Sequence, residues 1–453
     1  MSAEFYPEEL AAFCRGSWNK VPGKILSGIE TDSRKDLSGK LFVALVGEKF
    51  DAHNFLEDAV AKGASAICVR RDKSHLVPEN VSALIVDDTL LAYQNIAAGH
   101  RRKMTGLKIA AVTGSVGKTS VKEMLRAIFV AASCEEQVLA TEGNTNNHIG
   151  VPQNLLRLTP NTRYAVIEMG TSSPGEIAVL SRMAEPDTAI VNSIAPCHLE
   201  NLIDLDGVAR EKGDIFLKLA ANGVAVIPGD IPQSDILRSS AGEHTIRTFG
   251  DDDACDIRAN YLRGDLGGSS FELLIGQKRY TVNWQLTGRH QCRNAASAAS
   301  AAIAFGIAPE VIAKGLSNTV LPGMRGKIIK VGNATIYNDA YNANPASMAA
   351  VLKMVSESVT SEKVVLLLGT MLELGPGSSE EHNKMLQLAR ELFPDGIIYT
   401  VGSGFEGLSG SDRHYKVSTD AAEDIKQLTM QNVVIVAKGS RGTALEKALP
   451  AES

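Results

Sequence analysis

The feature that most constrains this chain is an apolar strand pattern, Leu107-Lys-Ile-Ala-Ala-Val112, that runs directly into Thr113-Gly-Ser-Val-Gly-Lys-Thr-Ser120 and then into a helical pattern. Strand, glycine turn and helix in that order build an anion cradle. The glycines let backbone N–H groups turn inward where a helix N-terminus already favours negative charge. The loop departs from the strict G-x-x-x-x-G-K-[ST] spacing, since Val112 stands five positions before Gly117. The chemistry survives the departure. Gly114, Ser115, Val116, Gly117 and Ser120 frame the cradle, Lys118 is placed to meet the β- and γ-phosphates of a nucleotide, and the Thr119 hydroxyl suits Mg²⁺.

Around this loop the pattern is α/β. Strands are expected over 164–168, 188–193 and 223–228, with a helix over 206–221, which is βαβ order and implies a mainly parallel sheet. Before it, short β-like runs at 41–46, 66–69 and 83–86 and a helix over 54–62 make a small α/β unit, and a helix over 90–104 leads to the loop strand. Between about 230 and 285 the segments alternate, with a turn at Gly267-Gly268, which predicts a small antiparallel insertion before an Ala-rich helix over 289–305. The last third starts again, with strands ending at Asn338 and Gly369 and further strands over 397–401 and 433–437, a doubly wound unit that lacks G-x-G-x-x-G. At roughly 150 residues per domain, the 453 residues allow about three domains or two large ones, and the pattern places boundaries that give 1–88, 89–319 and 320–453.

Composition excludes several function classes. Lys plus Arg total 46 against 52 Asp plus Glu, a net charge of −6, so no basic excess is available to hold a nucleic-acid backbone. The six cysteines (Cys14, Cys68, Cys134, Cys197, Cys255, Cys292) form no C-x-x-C pair and read as reduced, buried small hydrophobes. No window approaches 18 uninterrupted apolar residues and the N-terminal segment has no signal pattern, so a soluble cytoplasmic protein without membrane insertion is expected.

Two further residues, Glu168 and His198, stand at strand ends of the expected sheet, and Lys212 lies in a helix 14 residues after His198. Glu168 ends its strand and suits an Mg²⁺ ligand, although a solvated strand-end glutamate fits equally well. His198 follows an apolar strand and, taken alone, reads more often as a hydrogen-bonded structural histidine than as a ligand. Lys212, taken alone, is a surface lysine.

Together these residues sit within ordered segments that span the whole chain: Thr31-Asp-Ser-Arg34, Leu41 to His53, the phosphate loop with Val121-Lys-Glu-Met, and Glu142-Gly-Asn-Thr-Asn-Asn-His-Ile-Gly-Val-Pro152. The series continues with Glu168, Gly175-Glu-Ile177, His198-Leu-Glu200, Lys212-Gly-Asp-Ile-Phe216, Gly288-Arg-His290 with Asn294, Gly323-Met-Arg325, Asp339-Ala-Tyr-Asn-Ala-Asn-Pro345, Met371-Leu-Glu-Leu-Gly375 and Lys438-Gly-Ser-Arg441. In this set the chain resembles the Mur ligase family. The resemblance implies a UDP-sugar domain, a central ATPase domain and a Rossmann-like C-terminal domain. It also implies an ATP-dependent amide ligase of peptidoglycan precursor synthesis, acting as a monomer, that joins D-alanyl-D-alanine to UDP-N-acetylmuramoyl-tripeptide through an acyl phosphate.

Residue roles follow from the resemblance by position. Lys118, Glu168, His198 and Lys212 form the catalytic set; Thr119 and Glu168 hold one Mg²⁺ and His198 a second, with Lys212 carrying a carbamate made from carbon dioxide. Asn294 lies beside adenine, Arg325 beside the γ-phosphate and Asp339 on the ribose, with capping of the helix after Pro345 as the competing role for Asp339. Ser33, Arg34, Asp51 and His53 bind the UDP end; Asn146, Asn147 and Pro152 line the peptide, and Tyr341, Asn342 and Asn344 the dipeptide entrance.

Thr171-Ser-Ser173 stands where the family has Asn-His, Thr370 where it has aspartate, and Gln291 where it has asparagine. Rival readings are a family member that adds a single amino acid, the related folylpolyglutamate synthase, and a nucleotide-binding regulator without catalysis. Ala346 follows Asn-Pro where an arginine would read a diaminopimelate carboxylate, which disfavours the first.

Overall fold

In the computed structural model, which describes residues 3–359 and 363–450, the described strands form three sheets. The first has the order Ser17–Trp18, Ala83–Val86, Ala66–Arg70, Lys40–Val43, Gly28–Glu30 and is parallel except for its first pair. The strand expected over 41–46 ends at Val43, because the chain turns back through Gly47, whose N–H donates to Phe50 O at 2.8 Å. The helix expected over 54–62 is a 3₁₀ turn, Ala52–Phe55, followed by Leu56–Ala61.

The central sheet has nine strands in the order Lys278–Trp284, Gly268–Ile275, Ile257–Asp265, Thr245–Gly250, Val224–Pro228, Thr188–Val191, Lys108–Thr113, Tyr164–Glu168, Val138–Ala140. The last seven run parallel and the first two add an antiparallel meander. The alternating region at 230–285 is therefore not a separate insertion. Thr245–Gly250 within it is a parallel strand, and the meander widens the same sheet. The reason is burial: Phe271, Leu273, Val282 and Trp284 share one core with Val112, Val121 and Ala295, so these strands complete the apolar face that the helices cover.

The loop strand lies mid-sheet. Val112 pairs with Glu168 and Thr113 with Val191, so three strands end together at one edge, where the phosphate loop leaves. The helix expected over 206–221 is shorter, Leu205–Gly213 followed by a 3₁₀ turn Asp214–Phe216. The Ser181 hydroxyl donates to Ile215 O at 2.8 Å and accepts from Lys218 N at 3.3 Å, which replaces helical bonding there.

The third sheet orders Lys327–Val331, Ala334–Asp339, Val433–Lys438, Lys363–Gly369, Ile397–Val401, Arg413–Tyr415; its first pair is an antiparallel hairpin and the rest is parallel. The six cysteines are free thiols, yet only Cys68, Cys255 and Cys292 are buried; Cys14 and Cys197 are half-buried and Cys134 is exposed, beyond the end of the helix Lys118–Ala132. No described helix is long and apolar enough to cross a membrane.

Candidate active site

The phosphate loop needs its glycines. Gly117 has φ 80°, and a Cβ there would lie 2.4 Å from Asn192 Nδ2 and 2.5 Å from Asn294 Oδ1. Not every loop amide faces the cradle. Ser115 N donates to Ser193 O at 3.0 Å and Val116 N to Ser193 Oγ at 2.8 Å, so these two fasten the loop to the neighbouring strand end. The Ser115 hydroxyl likewise donates to Ala195 O at 2.9 Å. The helix Lys118–Ala132 begins immediately after Gly117, and Lys118 Nζ donates to Gly114 O at 2.7 Å, folded back over the loop it serves.

Glu168 is 3 % exposed and bound on every side. Its Oε2 accepts from Thr119 Oγ1 at 3.0 Å and its Oε1 from Asn146 Nδ2 at 2.9 Å. Asn147 does something else: its Oδ1 accepts from Ile149 N at 3.1 Å and Gly150 N at 2.9 Å, shaping the turn into the helix Gly150–Leu155, which also buries Pro152.

Lys212 is no surface lysine. It is 2 % exposed, on a helix that Asp204 caps through Gly207 N at 2.7 Å, and its amine makes no hydrogen bond or ion pair among the described residues. Burial, then the charge of Lys118, bring the Lys212 amine down to about 8. His198 sits nearby in the left-handed region, φ 51°. Burial holds its imidazole below the usual range, against the pull of Glu373, whose Oε2 lies 3.1 Å from His198 Nδ1. Glu373 belongs to the C-terminal unit and itself has φ 64°.

A second contact joins the same two units. Arg325 Nη2 donates to Thr119 Oγ1 at 3.3 Å while its guanidinium stacks 3.6 Å above the centre of the Tyr341 ring. These two residues also line a cavity of about 730 Å³ with Lys122, Arg126, Thr141 and Arg441; Lys118, Glu168, His198 and Lys212 are not on its wall. Asn294 accepts from Asn192 Nδ2 at 2.8 Å and donates to Gln291 Oε1 at 3.1 Å, so the substituted glutamine holds the asparagine beside it.

Asp339 does not cap the helix after it. Asn344 does, accepting from Ser347 N at 2.9 Å in a reciprocal box, which commits the Asn344 side chain to the helix Pro345–Ser358. Asp339 Oδ2 instead pairs with buried Lys438 Nζ at 2.7 Å, and the same amine donates to Asn342 O at 2.8 Å. His290 faces this pair, and burial brings its imidazole down to about 4.

In the N-terminal unit the expected ligands are largely engaged with one another. His53 is buried; its Nδ1 lies 2.6 Å from Asp51 Oδ1 and its Nε2 accepts from Arg70 N at 3.0 Å, so neither ring nitrogen is open. Arg34 is exposed and bidentate on Asp32, whose carboxyl it draws down to about 2, with half-buried Ser33 between them. Sequence reasoning passed over Glu211, which accepts from Gly175 N at 2.6 Å, Ile177 N at 2.9 Å and Thr171 Oγ1 at 2.9 Å and so anchors the helix Glu176–Ala184. The Thr171 that departs from the family pattern is thus tied beside Lys212. Asn192, Glu373 and Thr141 carry no role in the sequence reading either; Glu373 lies inside the Met371–Gly375 segment and Thr141 directly precedes Glu142, and position in or beside a motif was the available signal.

A glycine loop between strand and helix, a buried carboxylate on its threonine and an arginine reaching in from another sheet define a three-domain α/β protein built around a phosphate site. Residues 112–302 match the Mur ligase middle domain and residues 324–451 the Mur ligase glutamate ligase domain. The chain is 37 % identical over 433 residues to the UDP-N-acetylmuramoyl-tripeptide–D-alanyl-D-alanine ligase of Escherichia coli (strain K12), covering 94 % of this chain and 93 % of that one. It is 35 % identical over 435 residues to the Bacillus subtilis (strain 168) protein of the same name, covering 93 % and 92 %. The crystal structure of MurF from Acinetobacter baumannii superimposes with a TM-score of 0.89 at 32 % identity, covering 98 % of each chain. The protein belongs to the Mur ligase family.

Proposed function

We propose that the protein is an ATP-dependent ligase that joins D-alanyl-D-alanine to UDP-N-acetylmuramoyl-tripeptide, giving UDP-N-acetylmuramoyl-pentapeptide, ADP and phosphate. Relatives that carry this activity in their names match more than nine-tenths of the chain. The observation that carries the reading is the Arg325 guanidinium at Thr119, a cation brought to the phosphate cradle by a different domain. A nucleotide binder needs only the loop; a phosphoryl-transfer site needs charge aimed at the group that moves.

In the reaction, the tripeptide's terminal carboxylate attacks the γ-phosphorus, the bond to the β–γ bridging oxygen breaks, and ADP leaves. The dipeptide amine then attacks the acyl carbon, gives up a proton, and phosphate leaves with the bonding pair. Lys118, Arg325 and the helix N-terminus after Gly117 offset the charge on the transferring group. Asn294 reads adenine and Asp339 the ribose. Asn146 and Asn147 shape the peptide wall, while Tyr341 and Asn342 border the dipeptide entrance and Asn344 fixes the helix behind them. Ser33 and Arg34 meet the UDP end, where Asp51 and His53 act by bracing the loop.

The donor set fits Mg²⁺: Thr119 and Glu168 are hard oxygen ligands at the cradle edge. They would hold one ion, and His198 with a Lys212 carbamate a second; bound there, Mg²⁺ neutralises charge on the phosphates. No group of three His, Cys, Asp or Glu side chains able to hold a metal occurs among the described residues, so such an ion would take its remaining ligands from water and phosphate. The carbamate is supported by a buried amine at about 8, since the neutral amine is the form that adds to carbon dioxide.

The domain assignment follows the same reading: UDP-sugar binding in 1–88, ATP in 89–319, and the closing Rossmann-like domain in 320–453, in a cytoplasmic monomer. The test is ADP release with ATP, Mg²⁺ and D-alanyl-D-alanine, comparing UDP-muramoyl-tripeptide with its dipeptide precursor. Turnover with tripeptide alone, and the pentapeptide mass, are expected; silence with both while ATP binds supports the regulator reading instead.

A further inference from the structure

We infer that Thr141, held by the buried Lys122, is a positioning residue that fixes Glu168 against the phosphate loop. The inference rests on the reading of Glu168 as the carboxylate on the Mg²⁺ side. Four hydrogen-bonded groups close a ring. Thr119 Oγ1 donates to Glu168 Oε2 at 3.0 Å, Glu168 N donates to Thr141 Oγ1 at 2.9 Å, and Lys122 Nζ donates to Thr141 O at 2.8 Å. Lys122 lies three residues beyond Thr119 on the same helix, so the ring returns to where it began.

The two links through Thr141 are out of solvent, with Lys122 2 % exposed and Thr141 1 %, while the Thr119–Glu168 link is half-buried. The ladder between Val138–Ala140 and Tyr164–Glu168 stops at the Ala140–Val166 pair, so the N–H of Glu168 has no strand to meet on that side. The Thr141 hydroxyl takes the place of the missing strand. Without it a buried N–H would lack an acceptor, and the backbone that carries the carboxylate would lose the bond that fixes it, leaving only Thr119 and Asn146 to set the carboxylate's place. Lys122, whose charge is balanced by Glu123 Oε1 at 2.7 Å, draws the Thr141 backbone onto the loop helix.

The experiment uses the full chain, with ADP binding measured calorimetrically in EDTA and in excess Mg²⁺, and turnover measured against Mg²⁺. Thr141→Val keeps volume and removes the acceptor; Thr141→Ser keeps the acceptor and removes volume. Thr141→Val should bind metal-free ADP like the wild type but need roughly tenfold more Mg²⁺ for half-maximal turnover, while Thr141→Ser stays near wild type. The reverse order, Val tolerated and Ser impaired, makes Thr141 a packing residue and overturns the inference. Lys122→Met provides a second variant that leaves the hydroxyl in place; it should raise the Mg²⁺ requirement by a smaller factor, and wild-type behaviour removes Lys122 from the ring. Glu168→Gln separates the two failures. If its Mg²⁺ dependence is unchanged, the reading of the site falls and takes the inference with it; if it shifts while Thr141→Val does not, the inference alone falls.

Discussion

The two corners of the candidate site are built on opposite plans. At the loop corner most polar atoms are paired, with Thr113 Oγ1 and Asn192 Oδ1 the buried exceptions: Glu168 meets Thr119 and Asn146, Ser193 clamps Val116, and Lys118 rests on Gly114. At the lysine corner, a buried amine has no hydrogen bond among the described residues, and its neighbour His198 is met by a largely exposed glutamate from another domain. The difference separates a preorganised loop from a corner that holds a buried amine without a hydrogen-bond partner until something compensates it.

Several substitutions would break or sharpen that contrast. The largest effect is expected from Lys118→Ala, which should lower ADP release by about 10³-fold; normal turnover would remove the loop corner from the chemistry. Next, Lys212→Ala should lose roughly 10²-fold and recover in part with formate or acetate, which can occupy the place of a carbamate. Full activity without added acid would make Lys212 an ordinary buried lysine.

The same lysine should weaken the fold. Its amine stands at about 8 instead of the ordinary 10.5, so at pH 7 in buffer free of carbon dioxide Lys212→Met should be more stable by up to about 3 kcal/mol. Between pH 8 and 10.5 the unfolded wild-type chain holds a proton that the folded one lacks, so wild-type stability rises with pH and the variant's advantage fades. Denaturant melts across that range check it, and an advantage independent of pH would place the effect in packing. The smallest change is expected from Glu373→Gln: Glu373 is 70 % exposed in its side chain, and such pairs contribute about 0–1 kcal/mol. Stability should barely move, and a large loss would show the lysine corner to be held from outside.

What the sequence disclosed and what it hid divide along the same lines. The phosphate loop was legible because its chemistry is local: glycine, lysine and threonine within a few residues of a strand end. The three-domain α/β order was legible from periodicity. The meander at 257–284 was misplaced because pairing between Thr245–Gly250 and Ile257–Asp265 is decided by a shared core, which no window contains. The helix after Asp204 was drawn too long because its apolar pattern continues past Gly213, where Ser181 takes over the backbone bonds. Asp339 ends the strand Ala334–Asp339 five positions before Asn344, which directly precedes the helix and caps it, and Asp339 pairs instead with Lys438, nearly a hundred residues away. Lys212 looked like a surface residue for the same reason, since burial is set by what packs over a helix. His53 looked like an open ligand until Asp51 and Arg70 closed on both its nitrogens.

The exposed thiol of Cys134 offers a practical handle. It is the one exposed cysteine among the described residues, and it immediately precedes Glu135 and Glu136 on the wall of the cavity that Arg325 and Tyr341 close from the other side. A fluorophore attached there would occupy the seam between the central and C-terminal domains. Its emission would then report, in real time and without radiolabel or mass analysis, whether that seam changes as nucleotide and acceptor are added.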